Sequence, residues 1–189
     1  MTDESELNQI LSDAKREDLR ILHFAALLRR ESNLGPDDLV VVGGSAIEVY
    51  TEGAYVTGGI DICAPGAPVT SVLKRWGFQR TGQEWARLDW RIVVDIVAPL
   101  PSGSMRLTRV IDTPYGPVRI GGVEDLILGR LAMLKFWNEA GEVANLRRLA
   151  VLPDVDWDYL EDMARRSDVD DRLAQLRHDL RAALRPTSR

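Results

Sequence analysis

Leu39-Val40-Val41-Val42 is an unbroken apolar run of strand length, and it ends on Gly43-Gly44-Ser45. No other stretch constrains the fold of this chain as tightly. A run that is apolar at every position belongs to a strand buried on both faces, so the centre of a sheet covered by helices is expected here. The glycine pair predicts a sharp turn. A short helix, Ser45 to Tyr50, should follow with Ser45 near its N-cap, and Gly53 is the expected stop. A second strand is expected from Val56 to Cys63, carrying Thr57-Gly58-Gly59-Ile60-Asp61. A third apolar strand is expected over Ile92-Val93-Val94-Asp95-Ile96-Val97.

Other elements gather around this centre. Residues 4–14 read as a short helix. A second helix is expected from Arg16 to Asn33, because Leu19, Leu22, His23, Ala26, Leu27 and Arg30 recur at three- and four-residue steps. Gly35-Pro36 should end it. Val69 to Trp76 reads as a helix entered through Pro68 and closed by Gly77. Phe78–Arg80, Glu84–Leu88 and Arg91–Val97 suggest an antiparallel meander. Arg109–Thr113 and Pro117–Ile120 flank the turn signal Pro114-Tyr115-Gly116 and suggest a hairpin. From Val123 onward the pattern is helical. Leu126, Ile127, Arg130, Leu131, Leu134 and Lys135 share a face in the first helix, and Glu142–Leu149 forms a second. Trp157, Leu160, Met163 and Ala164 mark a third, and Leu173, Leu176, Leu180 and Leu184 a fourth. The expected class is α+β, with a mixed, mostly antiparallel sheet packed by helices and a C-terminal helical bundle. The expected organisation is N-terminal helices over 1–36, an α/β core over 37–122 and a helical region over 123–189, together forming one compact unit.

Charge and cysteine content narrow the partners. The net charge of −5 over 189 residues argues against broad electrostatic binding to DNA. The single cysteine, Cys63, cannot form an intramolecular disulfide and leaves no cysteine zinc cluster. The polar, acidic start Met1-Thr2-Asp3-Glu4-Ser5-Glu6 is unlike a secretory leader, so a cytoplasmic location is expected. No apolar run approaches the roughly 20 residues that span a bilayer, and no membrane association is expected.

The carboxylates carry the chemical interest. Strand side chains alternate faces, so Gly59, Asp61 and Cys63 should share one face and Ile60 and Ile62 the other. Asp95 stands in the middle of an apolar strand, where an unpaired charge is costly to bury. A divalent metal held between Asp61 and Asp95 would satisfy both. In two-metal phosphoryl transfer, carboxylates hold ions roughly 3.5–4 Å apart that bridge nucleophile and leaving phosphate. The alternative is structural: Asp61 caps a strand end and Asp95 pairs with an arginine such as Arg91. The glycine turn suits the first reading, because it lets backbone N–H groups approach a phosphate at a helix N-terminus, where the Ser45 hydroxyl can also donate.

Gly43-Gly44-Ser45-Ala46 to Tyr50, followed by Thr57 to Asp61 and by Asp95 on a neighbouring strand, resembles the polymerase-β-like nucleotidyltransferases. It looks like a subgroup of small bacterial and archaeal members, which includes relatives of abortive-infection and toxin–antitoxin nucleotidyltransferases. The resemblance covers about residues 38–150. It implies a sheet of the nucleotidyltransferase type, Mg²⁺ or Mn²⁺ as the metal, a nucleoside triphosphate as ligand, and a protein or RNA hydroxyl as acceptor. By the resemblance Asp61 takes the role of the second metal carboxylate. Asp95 takes the third, which also helps deprotonate the attacking hydroxyl. Gly43, Gly44 and Ser45 take the phosphate turn. In that group the helical segment opens with Glu-Asp-Leu, here Glu124-Asp125-Leu126, and then carries basic residues. The resemblance thus implies that Arg130 or Lys135 reaches the triphosphate. The departure is Gly59, which stands where the family has its first metal-binding Asp. Three readings stay open: a degenerate site that binds without chemistry, a replacement carboxylate such as Glu48 or Glu84, or reduced activity with one metal.

The remaining residues read mainly as structure. His23 lies on an apolar stripe and His178 in a charged helix, which speaks against a histidine dyad or zinc site. Trp76, Trp85, Trp90, Trp137 and Trp157 are expected in packing, with Trp85 or Trp90 as a base-stacking alternative. Arg165, Arg166, Arg172, Arg177, Arg181 and Arg185 suggest a solvated helix face, with RNA contact or homodimerisation as the other readings.

Overall fold

The apolar runs of the first 122 residues assemble into one seven-stranded sheet. The computed structural model describes residues 4–14, 16–99 and 103–183, and Leu184 and Arg185 lie outside them. Helices α1 (Glu4–Asp13) and α2 (Glu17–Glu31) come first. Then come β1 (Val40–Val42), α3 (Gly43–Tyr50), β2 (Ile60–Cys63) and α4 (Gly66–Arg75). The strands β3 (Gln79–Thr81), β4 (Glu84–Arg87) and β5 (Ile92–Ala98) follow, then the hairpin β6 (Arg109–Thr113) and β7 (Gly116–Ile120). The strand order is β3-β4-β5-β2-β1-β7-β6. The β5–β2 and β1–β7 pairs are parallel and the other four antiparallel. The sheet is therefore mixed and mostly antiparallel, with its parallel pairs near the centre, where the continuous apolar runs lie.

Register divides the sheet into two faces. Val41 pairs with Ile62 and Ile120, and Ile60 with Val94, so these side chains share one face. Each of them is at most 6 % exposed. Burying side chains of this size fully is worth about 1.5–3 kcal/mol apiece. Helix α2 packs on β7, and α3 on β1 and β2. Phe24 of α2 anchors an aromatic cluster, with its ring centroid 5.9 Å from Trp76 and 5.8 Å from Phe78. Trp90 lies 6.0 Å from Phe78 and carries the Arg87 guanidinium 3.6 Å over its face. Trp76, Trp85 and Trp90 are thus buried, as expected of packing residues. Trp137 is not: it is 67 % exposed.

Several boundaries differ from expectation, among them the start of α3, which begins at Gly43 with Val42 rather than Ser45 in the N-cap position. Helix α2 ends at Glu31 rather than at Asn33. Asn33 takes the left-handed conformation with φ 53°, and the Leu34 N–H donates to Arg29 O and the Asn33 N–H to Arg30 O. That is a Schellman closure, with asparagine in the place glycine usually takes. Helix α4 starts at Gly66, which puts Pro68 inside its first turn, where no intrahelical N–H is needed. Strand β2 starts at Ile60 rather than Val56, because the Thr57 N–H donates to Glu48 Oε2 at 2.7 Å instead of to a neighbouring strand.

Contacts divide the chain into Met1–Gly122 and Val123–Arg189. The second unit is helical: α5 (Val123–Phe136), α6 (Glu142–Ala150), α7 (Trp157–Arg166) and α8 (Asp170–Ala183). Its core is built from Ile127, Leu131, Leu146, Leu149, Leu160 and Leu173, each at most 3 % exposed. Glu124 and Asp125 tie the start of α5 to the start of α7. The Asp156 N–H donates to Glu124 at 2.8 Å, and the Tyr159 hydroxyl donates to Asp125 at 2.8 Å. Among the described residues, no helix is long and apolar enough to cross a membrane.

Candidate functional site

Asp61 and Asp95 are direct register partners on the parallel strands β2 and β5. Adjacent strands lie about 4.8 Å apart, and register partners face the same side, so the two carboxylates stand beside one another. Both are half-buried. They share the face opposite to Ile60, Ile62 and Val94. Among the described residues, no hydrogen bond or ion pair reaches the Asp95 carboxylate. The arginine alternative does not hold for Arg91, which turns into β5 with φ 52°, is exposed and makes no ion pair with Asp95.

The other carboxylate is held by the glycine turn. Helix α3 begins at Gly43 itself, with Val42 in the N-cap position. The Gly44 N–H donates to Asp61 Oδ2 at 3.0 Å. The Ser45 side chain is fully buried. Its hydroxyl donates to Val42 O at 2.8 Å and accepts the Asp61 N–H at 3.0 Å. Gly43 has φ +59°, and a Cβ there would lie 2.3 Å from Asp61 Oδ2. The carboxylate thus occupies the space that any larger residue at 43 would fill. Gly44 is hemmed in as well, since a Cβ would lie 2.6 Å from Thr57 Oγ1. The residues Gly43, Gly44, Ser45, Asp61 and Asp95 therefore come together in one place, but the turn's hydrogen-bonding groups are directed at Asp61.

Gly59 sits at the mouth of β2, next to Val93. A Cβ there would meet Val93 O at 3.4 Å and Val93 Cβ at 3.5 Å, which is ordinary contact. Neither Glu48 nor Glu84 is grouped with Asp61 and Asp95. Among the described residues, no group of three or more His, Cys, Asp or Glu side chains is assembled for a metal. Glu84 is exposed on the β3–β4 hairpin. Glu48 is buried beneath the Thr57–Gly59 loop, with Oε2 accepting the Thr57 N–H and Oε1 without a partner. Burial raises its pKa, Glu17 and Asp18 add to the rise, and the Thr57 N–H opposes it. Glu48, Thr57, Gly58, Gly59, Arg91 and Val93 line a cavity of about 50 Å³. That is far below the several hundred Å³ of a pocket for a drug-sized ligand.

The remaining candidates resolve differently. Cys63 is buried, and burial together with the negative charge of Asp61 pushes its thiol pKa up, away from thiolate chemistry. Trp85 pairs with Val94 across β4 and β5, which puts it on the apolar face rather than beside Asp61 and Asp95. Arg130 and Lys135 belong to the second unit. Arg130 pairs with Glu142 at 3.2 Å, and each side chain is 12 % exposed. Lys135 bridges Asp171 at 3.0 Å and Asp168 at 3.1 Å, and these hydrogen bonds, that to Asp171 foremost, raise its pKa. Both cations are committed to carboxylates of their own unit.

Two carboxylates side by side suit one divalent cation. Mg²⁺ is commonly bound through one or two carboxylates plus substrate phosphates, with water completing an octahedron. A search of family models and of curated proteins yields no match for this chain.

Proposed function

We propose that this chain is a nucleotidyltransferase-like protein that binds a nucleoside triphosphate with one Mg²⁺ or Mn²⁺ ion at Asp61 and Asp95. The observation that carries the reading is the in-register pair itself. Two like charges on adjacent strands, one of them without a protein partner, are stabilised by a cation that both can share. The triphosphate supplies the charge and oxygen ligands that the pair leaves open. The bound ion supplies charge neutralisation at the phosphates. In the transferring form of this reading, Asp95 takes the proton from a protein or RNA hydroxyl. The hydroxyl oxygen bonds to the α-phosphorus, and pyrophosphate leaves.

A second reading rests on Gly59. With no side chain there and no replacement carboxylate grouped with the pair, charge at the transition state goes uncompensated. The chain is then a binding or regulatory module, antitoxin-like or a scaffold, that retains the ligand and lacks the chemistry. One experiment separates the two readings. Thermal unfolding is measured with each nucleoside triphosphate, with and without Mg²⁺ or Mn²⁺, on wild type and Asp61→Ala, alongside release of labelled pyrophosphate. A ligand at about 100 times its Kd adds roughly 2.7 kcal/mol to the folded state. A metal-dependent shift absent in Asp61→Ala supports the site. Pyrophosphate release then supports transfer, and a shift without release supports the module. No shift with any nucleotide ends both.

A further inference from the structure

We infer that the Gly43-Gly44-Ser45 turn is a clamp for the Asp61 carboxylate rather than a cradle for phosphate, with Gly43 and Ser45 as positioning residues. Three observations converge. The Gly44 N–H, in the first turn of α3, is taken by Asp61 Oδ2 at 3.0 Å. The Ser45 hydroxyl is fully buried, donates to Val42 O at 2.8 Å with Asp61 O a longer contact at 3.3 Å, and accepts the Asp61 N–H at 3.0 Å. A side chain at position 43 would fall 2.3 Å from the same carboxylate oxygen. A serine that ties the backbone of β2 to the end of β1 and the start of α3 fixes where Asp61 stands. An amide bonded to one carboxylate oxygen restrains how that carboxylate is turned. A carboxylate at a helix N-terminus is itself the favourable anion there. Phosphate would have to displace it.

The part of this inference that concerns metal rests on the site proposed above, and the test keeps the two apart. In the full-length chain, Mn²⁺ binding is read from the free-ion electron spin resonance signal, and inorganic triphosphate binding is read at saturating Mn²⁺. Groups that orient a metal ligand typically contribute 10–100-fold to affinity. Ser45→Ala is expected to weaken Mn²⁺ about ten-fold or more and to leave triphosphate affinity within about two-fold at saturating metal. The converse result, unchanged Mn²⁺ affinity with weakened triphosphate, would make the turn a phosphate cradle and overturn the clamp. Because Ser45→Ala removes buried hydrogen bonds and can unfold the chain, a metal-free measurement on Asp61→Ala stands beside it. The Gly44 amide is expected to change its nuclear magnetic resonance position and to exchange with solvent at least ten-fold faster in that variant. Unchanged Gly44 exchange overturns the clamp whatever the metal does. A responsive Gly44 in a chain that binds no Mn²⁺ upholds the clamp and ends the metal site.

Discussion

Asp61 and Asp95 face each other in register across two parallel strands, and only Asp61 is hydrogen-bonded by the turn. Like charges on adjacent strands cost stability on the order of 0.5 kcal/mol. Asp95→Asn is therefore expected to raise metal-free stability by a few tenths to about 1 kcal/mol and to remove any stabilisation by Mn²⁺. Urea unfolding with and without the ion measures both. A variant that is less stable in the absence of metal and still responds to Mn²⁺ would show that the two carboxylates do not act as a pair.

Gly59 and Gly43 answer differently to substitution. At Gly59 an added Cβ meets only ordinary contacts with Val93. Gly59→Asp is expected to change stability by less than about 1 kcal/mol, as most open-site substitutions do. A third carboxylate should raise Mn²⁺ affinity on the order of ten-fold, since affinity follows ligand charge. Gly43→Ala is expected to cost roughly 1–2 kcal/mol for the left-handed backbone alone, and to lose Mn²⁺ binding because Asp61 must move. Paired urea and Mn²⁺ titrations decide. An intolerant Gly59 and a tolerant Gly43 would reverse the assignment.

Legibility in the sequence followed the range of the interaction. The apolar run at 39–42 became β1, the 92–97 run became β5, and Pro114-Tyr115-Gly116 did mark the β6–β7 turn. Local patterns were enough there. Strand β2 starts four residues after the expected Val56 because the Thr57 N–H is taken by Glu48, nine positions earlier in the chain and buried under the loop. A strand pattern cannot display that partner. The side-by-side placement of Asp61 and Asp95 needs the parallel pairing of β2 with β5, which no local signal encodes. The direction of the Ser45 hydroxyl was likewise hidden. A serine after two glycines reads as a ligand-binding group until the close approach of β2 gives it two backbone partners.

In the second unit, Asp156 caps α7 by accepting the Tyr159 N–H at 2.9 Å, and its own N–H donates to the buried Glu124. Asp156→Ala is expected to cost about 1 kcal/mol, as the loss of an N-cap usually does. Glu124→Ala should cost more, about 1–3 kcal/mol, because it leaves a partly buried backbone N–H without its acceptor. Far-ultraviolet circular dichroism during urea unfolding of the full chain measures both. Equal, negligible effects would mean that the Glu-Asp pair opening α5 has no part in holding α7.

Glu48 makes stability depend on pH. Its ordinary pKa is 4.5, and in the folded chain burial, reinforced by Glu17 and Asp18, raises it. Well below pH 4.5 the carboxyl is protonated in both states and favours neither. As pH rises, the unfolded chain gives up its proton first, so the folded state binds more protons and loses stability with rising pH. The loss levels off once the folded pKa is passed. Glu48→Gln keeps an amide oxygen to accept the Thr57 N–H and carries no charge. The variant should therefore gain stability relative to wild type between pH 4 and pH 7, with the gain growing as pH increases and then flattening. Urea midpoints across that range test it. A difference that does not change with pH would mean that Glu48 ionises as readily in the folded chain as in the unfolded one, and that its unpartnered Oε1 is reached by water.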